Sequence, residues 1–458
     1  MKSVSLDFET RSPVPLPDTG VYPYAAHPDT DVWCMAYAEE DEEPSLWIPG
    51  DPVPEIFNEE VELRAWNAAF ERRIYTDILV PRYGFPAKPL EAFVCTMVEA
   101  AAMSLPRALG ICAKVLKVTD QKDDGGHRLM KQMARPRRPR KNEDPNALLW
   151  WDDNVRLNKL YQYCIDDVKA ERAIAGKLRR LSKRERALYL LDQTANDRGV
   201  GLDLPLIEAA VDLRNEAIKR ADAKLAKLTD GACRSVTNTA DIRRWLGVES
   251  VAKQAIKELL EEETDPTRRA VLELRADAGR SSVAKIDTML KCYHEGGAHG
   301  LLQFLGADTG RWAGRLIQPQ NFPRPTVEDP EALIPMVLDR DYDGLEKIAP
   351  VMEVLSSLLR SMIVAREGSN FYCGDFAAIE GWVVAWLAGQ EGMTSYEEMA
   401  AAIFHLPVSG IEKGSDERQV GKVAVLGCGF GMGWKRYKET VYEWTGLRIS
   451  DELADKAV

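Results

Sequence analysis

The sequence predicts a mixed α/β protein in three parts: a sheet-containing N-terminal region, an elongated helical middle and a second α/β region. Three observations predict it. Residues 3–10, Ser-Val-Ser-Leu-Asp-Phe-Glu-Thr, alternate as a half-buried strand. Residues 183–295 are rich in Ala, Leu, Lys, Glu and Arg at helical spacing, and short apolar runs between Pro- and Gly-containing loops return near residue 300. A length of 458 residues corresponds to about three domains.

Val32 to Ala38, Leu46-Trp47-Ile48 and Val61 to Ala65 read as further N-terminal strands, followed by helical patterns around 90–116 and 155–181. Between those helices Asp123 to Pro145 reads as a loop, because the run Arg135-Pro136-Arg137-Arg138-Pro139-Arg140-Lys141 cannot form a regular helix. The helical middle is broken at Gly199-Val200-Gly201 and Thr229-Asp230-Gly231. Beyond it, Leu301 to Leu305 reads as a strand, Pro319 to Pro330 as extended loop and 346–363 as a helix.

Eight scattered cysteines without a C-x-x-C pair, and five histidines without H-E-x-x-H, argue against a disulfide framework or a zinc site. The N-terminus reaches Asp7 without an apolar signal-peptide core, and no 18 uncharged apolar residues run together. A cytoplasmic protein without a membrane partner is expected. The net charge of −12 argues only weakly against nucleic acid, since basic residues can gather in one cleft while carboxylates elsewhere hold cations.

Asp7 and Glu9 are two apart on a strand that is apolar at Val4, Leu6 and Phe8, so both carboxylates project from one face. Such a pair repels itself unless cations bind it, although a solvated strand edge would show the same pattern. In Trp66-Asn67-Ala68-Ala69-Phe70-Glu71 an Asn precedes a carboxylate by four residues. In Tyr163-Cys164-Ile165-Asp166-Asp167 a phenol and a carboxylate share a helix face, as a plain surface pair also would. Together Asp7, Glu9, Glu71 and Asp167 supply four negative charges, which matches two divalent cations held by oxygen.

In order and spacing these acids resemble the 3′→5′ proofreading exonuclease superfamily of the DEDD type, over about residues 1–180. The resemblance implies a ribonuclease H-like fold and two Mg2+ or Mn2+ ions held by Asp7, Glu9, Glu71 and Asp167 against the scissile phosphate. It implies Tyr163 as the group that orients the attacking water. The family's third acid is commonly Asp, whereas this sequence has Glu71. Asp166, about 100° around the helix from Asp167, reads as a structural or outer group.

Thr309-Gly310-Arg311-Trp312 and Gln318-Pro319-Gln320-Asn321-Phe322-Pro323 combine a Gly turn, a bidentate-capable Arg and amides, groups that suit phosphate and minor-groove contacts or an ordinary polar loop. Asp375 closes Asn370-Phe-Tyr-Cys-Gly-Asp375, expected to be a buried strand, and Glu380 opens the expected apolar helix Ile379 to Ala388. A carboxylate at a strand end suits magnesium for a triphosphate. Arg418, Lys422, Leu426 and Phe430 recur every four residues as a helical stripe, cationic and then apolar. Such a stripe suits phosphates and a flat base, or a surface helix.

Following the acidic set, these ordered motifs resemble the family-A DNA polymerases of the phage type, similar in layout to bacterial DNA polymerase I, over essentially the whole chain. The resemblance implies a ribonuclease H-like exonuclease domain over 1–182, a helical thumb over 183–298, and partial palm and fingers over 299–458. It implies template-directed synthesis from dNTPs with proofreading. Asp375 would coordinate the catalytic metals, Glu380 would reject a ribose 2′-hydroxyl, and Arg418 and Lys422 would hold the triphosphate. Leu426 and Phe430 would pack near the nascent base pair, in place of the usual aromatic and tyrosine, and Arg311, Gln320 and Asn321 would touch primer and template. Expected partners are primer-template DNA, single-stranded 3′ ends, dNTPs, and a C-terminal polymerase fragment or processivity factor.

The family's palm also uses a second aspartate, usually as His-Asp, and no His-Asp pair occurs here. The expectation is a fragment, or one part of a split polymerase, that does not polymerise by itself. A stand-alone 3′→5′ exonuclease and a non-catalytic primer-template-binding module are the alternatives. The run 135–141 is a solvated linker or, through Arg137 and Arg138, a hand on the DNA backbone.

Overall fold

Alternation over residues 2–11 produces β1 (Lys2–Arg11), joined by β2 (Asp31–Glu39), β3 (Ser45–Trp47), β4 (Val61–Ala65) and β5 (Phe93–Cys95). A computed structural model describes residues 2–40, 42–118, 124–280 and 282–458. The sheet order is β3-β2-β1-β4-β5, so β1 is central, antiparallel to β2 and parallel to β4. Val4, Leu6 and Phe8 point into a core with Phe57, Ile74, Tyr75 and Ile78. The opposite face, carrying Cys34, Ala36 and Ala38, is covered by Cys164 and Val168 of the helix Asn154–Ala175.

Two N-terminal expectations are corrected. Phe93-Val94-Cys95, read within a helical pattern, forms β5, because a short apolar run at the sheet edge gains backbone hydrogen bonds from β4. The loop expected over 123–145 begins instead as the helix Asp124–Met133; the prolines that forbid a helix start only at Pro136. Asp123 lies outside the described residues.

The middle of the chain is helical, led by Leu204–Leu228, whose apolar stripe packs against Ile286, Met289, Val354 and Leu355. A small sheet orders Ile363–Val364, Val200–Leu202, Gly297–Ala298 and Tyr293–His294. Gly297 is required there, since a Cβ would lie 2.1 Å from the Val200 carbonyl oxygen. The strand expected over 301–305 is reduced to Leu302–Gln303, paired with Ala313–Gly314. The helix expected over 346–363 is confined to Val351–Ser357, starting after Pro350. Among the described residues no helix is long and apolar enough to cross a membrane.

The chain divides into two compact units, Met1–Asn370 and Phe371–Val458; the boundaries expected at 182/183 and 298/299 fall inside the first. The second unit is a set of helices including Ile379–Leu387, Tyr396–Phe404, Asp416–Cys428 and Trp434–Thr445. Val420, Val423, Ala424, Tyr437 and Val441 form its core, and the Tyr437 hydroxyl donates to the Val420 carbonyl at 2.9 Å. Residues 370–375 are exposed and lie outside any helix or strand, which corrects the buried strand expected there. A strand needs a hydrogen-bonding neighbour, and none pairs with this segment among the described residues.

Candidate active site

In the first unit Asp7 and Glu9 stand opposite Ala36 and Cys34 on β2. These small neighbours leave room for two carboxylates beneath the helix Asn154–Ala175. That helix buries a stripe at Leu160, Tyr163, Cys164, Asp167, Val168, Glu171 and Ile174, spaced by three and four. The stripe brings Tyr163 and Asp167 over β1. The Cys164 thiol donates to the Asp7 carbonyl at 3.4 Å and lies 3.5 Å from Asp7 Oδ2. Asp166 points away and accepts from Gln162 at 2.9 Å.

Glu71 arrives from a different element. β4 ends at Ala65 and the helix Ala68–Ile74 follows, with Glu71 in its first turn and 5% exposed. Its Oε2 is buried without a hydrogen-bond partner. Burial, then the Asp7 and Glu171 charges, hold its carboxyl well above the usual carboxylate range. Burial, then Asp167, Glu9 and Asp7, likewise push the Tyr163 phenol up. The side chains from residues 7, 9, 71, 163 and 167 thus share one negative, desolvated region. Among the described residues, however, no three Asp, Glu, His or Cys side chains converge tightly enough to cage a metal ion. Bare carboxylates repel one another, so a looser arrangement is the physical expectation without a counter-charge. An unsatisfied buried carboxylate oxygen and an oxygen-only donor set fit a hard divalent cation.

A cavity of about 680 Å³ in the same unit is lined by residues that include Asn67, Phe70, Met97, Gln193, Arg315 and Gln318, and by none of the five side chains above. Asp192 also lines it; burial pushes its carboxyl up to about 6 despite hydrogen bonds from Trp312, Gln193 and Asn196. Arg311 is exposed on a tight turn in which the Ala307 amide donates to the Arg311 carbonyl at 3.0 Å. Gln320 packs over Gly314, and Asn321 donates to Gln318 at 3.1 Å. In the basic loop Arg137 is engaged, donating to Glu143 at 2.6 and 2.7 Å and to the Trp150 carbonyl at 3.2 Å. Arg138 faces solvent. The guanidinium of Arg137 therefore holds the loop's shape, which leaves the outward cations to others.

In the second unit Asp375 is exposed and Glu380 lies in the first turn of Ile379–Leu387. Trp386, on that helix, is 76% exposed. Arg418, Lys422 and Leu426 share the helix Asp416–Cys428, capped by Ser415, whose hydroxyl accepts from the Arg418 amide at 3.2 Å. Arg418 donates to Glu397 at 2.5 Å. Phe430 lies past the helix end, exposed, so the expected four-residue stripe loses its last member; the helix stops at Cys428, amid Gly427, Gly429 and Gly431.

No family model matches the chain. A DNA polymerase of Bacillus phage SP02 is 37% identical over 458 residues, covering 94% of this chain and 69% of that protein. The chain belongs to the family-A DNA polymerases. The fold agrees: the polymerase domain of Pol1 from M. smegmatis, solved with DNA primer-template and dNTP, matches with a TM-score of 0.54 at 14% identity, over all of this chain and 71% of that one. In this polymerase, sequence reading did not single out Asp192, Phe70, Met97 or Glu171. Only Glu171 carried a local signal, four residues beyond Asp167 on the same buried helix face.

Proposed function

We propose that this DNA polymerase also removes nucleotides from 3′ ends, and that residues 1–182 form the exonuclease domain, 183–298 the thumb, and 299–458 part of the palm and fingers. The observation that carries the nuclease reading is the buried, unpartnered Glu71 Oε2 held against Asp7. Asp7, Glu9, Glu71 and Asp167 would hold two Mg2+ or Mn2+ ions. When bound, such ions stabilise charge on a phosphate and acidify a water. The chain's own groups do the rest: Tyr163 orients the attacking water, while Asn67 and Phe70 position a single-stranded 3′ end in the cavity they line.

For synthesis, Asp375 supplies a metal carboxylate, Glu380 screens the sugar, and Arg418 and Lys422 neutralise the triphosphate of an incoming dNTP. Arg418 exchanges Glu397 for phosphate as it does so. Leu426 and Phe430 face the nascent base pair. Arg311, Gln320, Asn321 and Arg138 bind primer-template DNA. With no His-Asp pair among these 458 residues, extension requires a second palm carboxylate from outside them. A cytoplasmic site of action, the host's if phage-encoded, follows from the same reading.

A 3′-labelled single strand should lose mononucleotides only with a divalent cation, and Asp7→Ala and Asp167→Ala should abolish release. A non-catalytic primer-template-binding module is the alternative that the same assay tests. Wild-type protein that binds DNA yet releases nothing in Mg2+ or Mn2+ would select that module.

A further inference from the structure

The turn that presents Arg311 belongs to a hairpin with only two residue pairs, Ala313 with Gln303 and Gly314 with Leu302. So short a hairpin does not hold itself in water. One face of the helix Lys183–Arg198 holds it from below. Asn196 brackets one strand: its Oδ1 accepts from the Leu302 amide at 2.8 Å and its Nδ2 donates to the Leu302 carbonyl at 3.0 Å. Asp192, one turn earlier, grips the return strand, its Oδ1 accepting from Trp312 Nε1 at 2.7 Å. Trp312 also sets its ring edge-on to Phe304 at 5.3 Å.

Asp192 is a poor choice for stability alone. It is 3% exposed, and a buried carboxylate costs more than an apolar side chain of similar size, even when hydrogen-bonded. What it supplies is direction. Trp312 is 44% exposed, so packing against Phe304 alone restrains its ring less than packing together with the Asp192 hydrogen bond. The same helix fixes the acid-bearing helix as well, since Arg72, next to Glu71, donates to Asp197 at 2.6 Å.

We propose that Asp192 is a positioning residue for primer-template binding, which acts through Trp312 to fix the turn that presents Arg311. The inference rests on the reading of Arg311 as a DNA contact.

The test is primer-template affinity of the full chain, measured by fluorescence anisotropy in EDTA across a salt series. Arg311→Ala, Trp312→Phe and Asp192→Ala should each weaken binding by about fivefold to tenfold, the worth of one charge-assisted phosphate contact. Each should lower the slope of log affinity against log salt by about 0.9. Trp312→Phe keeps a ring on Phe304 and so isolates the N–H. Asp192→Asn, which retains an acceptor for that N–H, should bind within about twofold of the parent. The double variant Arg311→Ala/Trp312→Phe should bind no more weakly than Arg311→Ala alone. Additive losses, or a weakened Arg311→Ala beside an unaltered Trp312→Phe, would overturn the positioning role and leave the DNA contact standing. A silent Arg311→Ala would remove the contact, and the proposal with it.

Discussion

Gly126 of the helix Asp124–Met133 lies against the Tyr163 ring, so close that a Cβ at residue 126 would come within 2.1 Å of Tyr163 Cδ2. Helix propensity favours alanine over glycine by about 1 kcal/mol. Overpacking a filled contact costs about 1–3 kcal/mol, and the atoms met lie at the root of the ring and cannot swing aside cheaply. Gly126→Ala should therefore gain little or no stability and should displace Tyr163. Single-strand hydrolysis should fall roughly tenfold or more, the scale of a misplaced catalytic group, with the circular dichroism spectrum retained. Unchanged hydrolysis would show that Tyr163 does not orient the water.

Glu71 predicts a conflict between stability and metal binding. Burial and Asp7 raise its folded-state pKa above the unfolded value. Such an acid stabilises most where it is protonated in both states, and that contribution is lost as pH rises from about 4.3 through the raised folded value. At pH 7 without divalent cations, Glu71→Gln should be the more stable protein. A relief of about 1 kcal/mol would raise Tm by about 1 °C in scanning calorimetry. Mg2+ should raise the Tm of wild type more than that of the variant.

Arg64 serves the fold beside the site. It donates to Glu99 at 2.5 Å and approaches Glu171 at 4.0 Å, where Thr96 also donates to Glu171, and all four residues are buried. Arg64→Met would take the nearer cation from two buried carboxylates and leave Glu99 only Arg180 at 3.6 Å, a loss of about 3–5 kcal/mol. Urea unfolding should show it, and adding Glu99→Gln should recover part of it.

Asp192 titrates in a measurable window. Its folded-state carboxyl is pushed up to about 6, above the unfolded value of about 3.9. The stability of wild type relative to Asp192→Asn should decline between about pH 4 and pH 6, by about 2 kcal/mol, and then level off. A flat difference across that range would show that the carboxyl is not desolvated as the structure has it.

Local periodicity made much of the fold and site legible. Alternation placed Asp7 and Glu9 on one face of β1, and four-residue spacing placed Tyr163 above Asp167. Three-residue β5 was not legible, because so short an apolar run carries no period. Residues 370–375 have the composition of a strand, but composition cannot supply a pairing neighbour. Asp192 and Trp312 are 120 residues apart, and nothing local to either announces the bond between them. Phe430 kept the four-residue interval but not the helix, which ends before it.

Calorimetric titration of the metal-free chain with Mn2+ tests most directly whether acids from β1 and two separate helices share cations. Saturable binding of two ions near this site, lost in Asp7→Ala and Asp167→Ala and weakened in Glu71→Gln, is the expected result. Binding that is absent, or indifferent to all three substitutions, would contradict it.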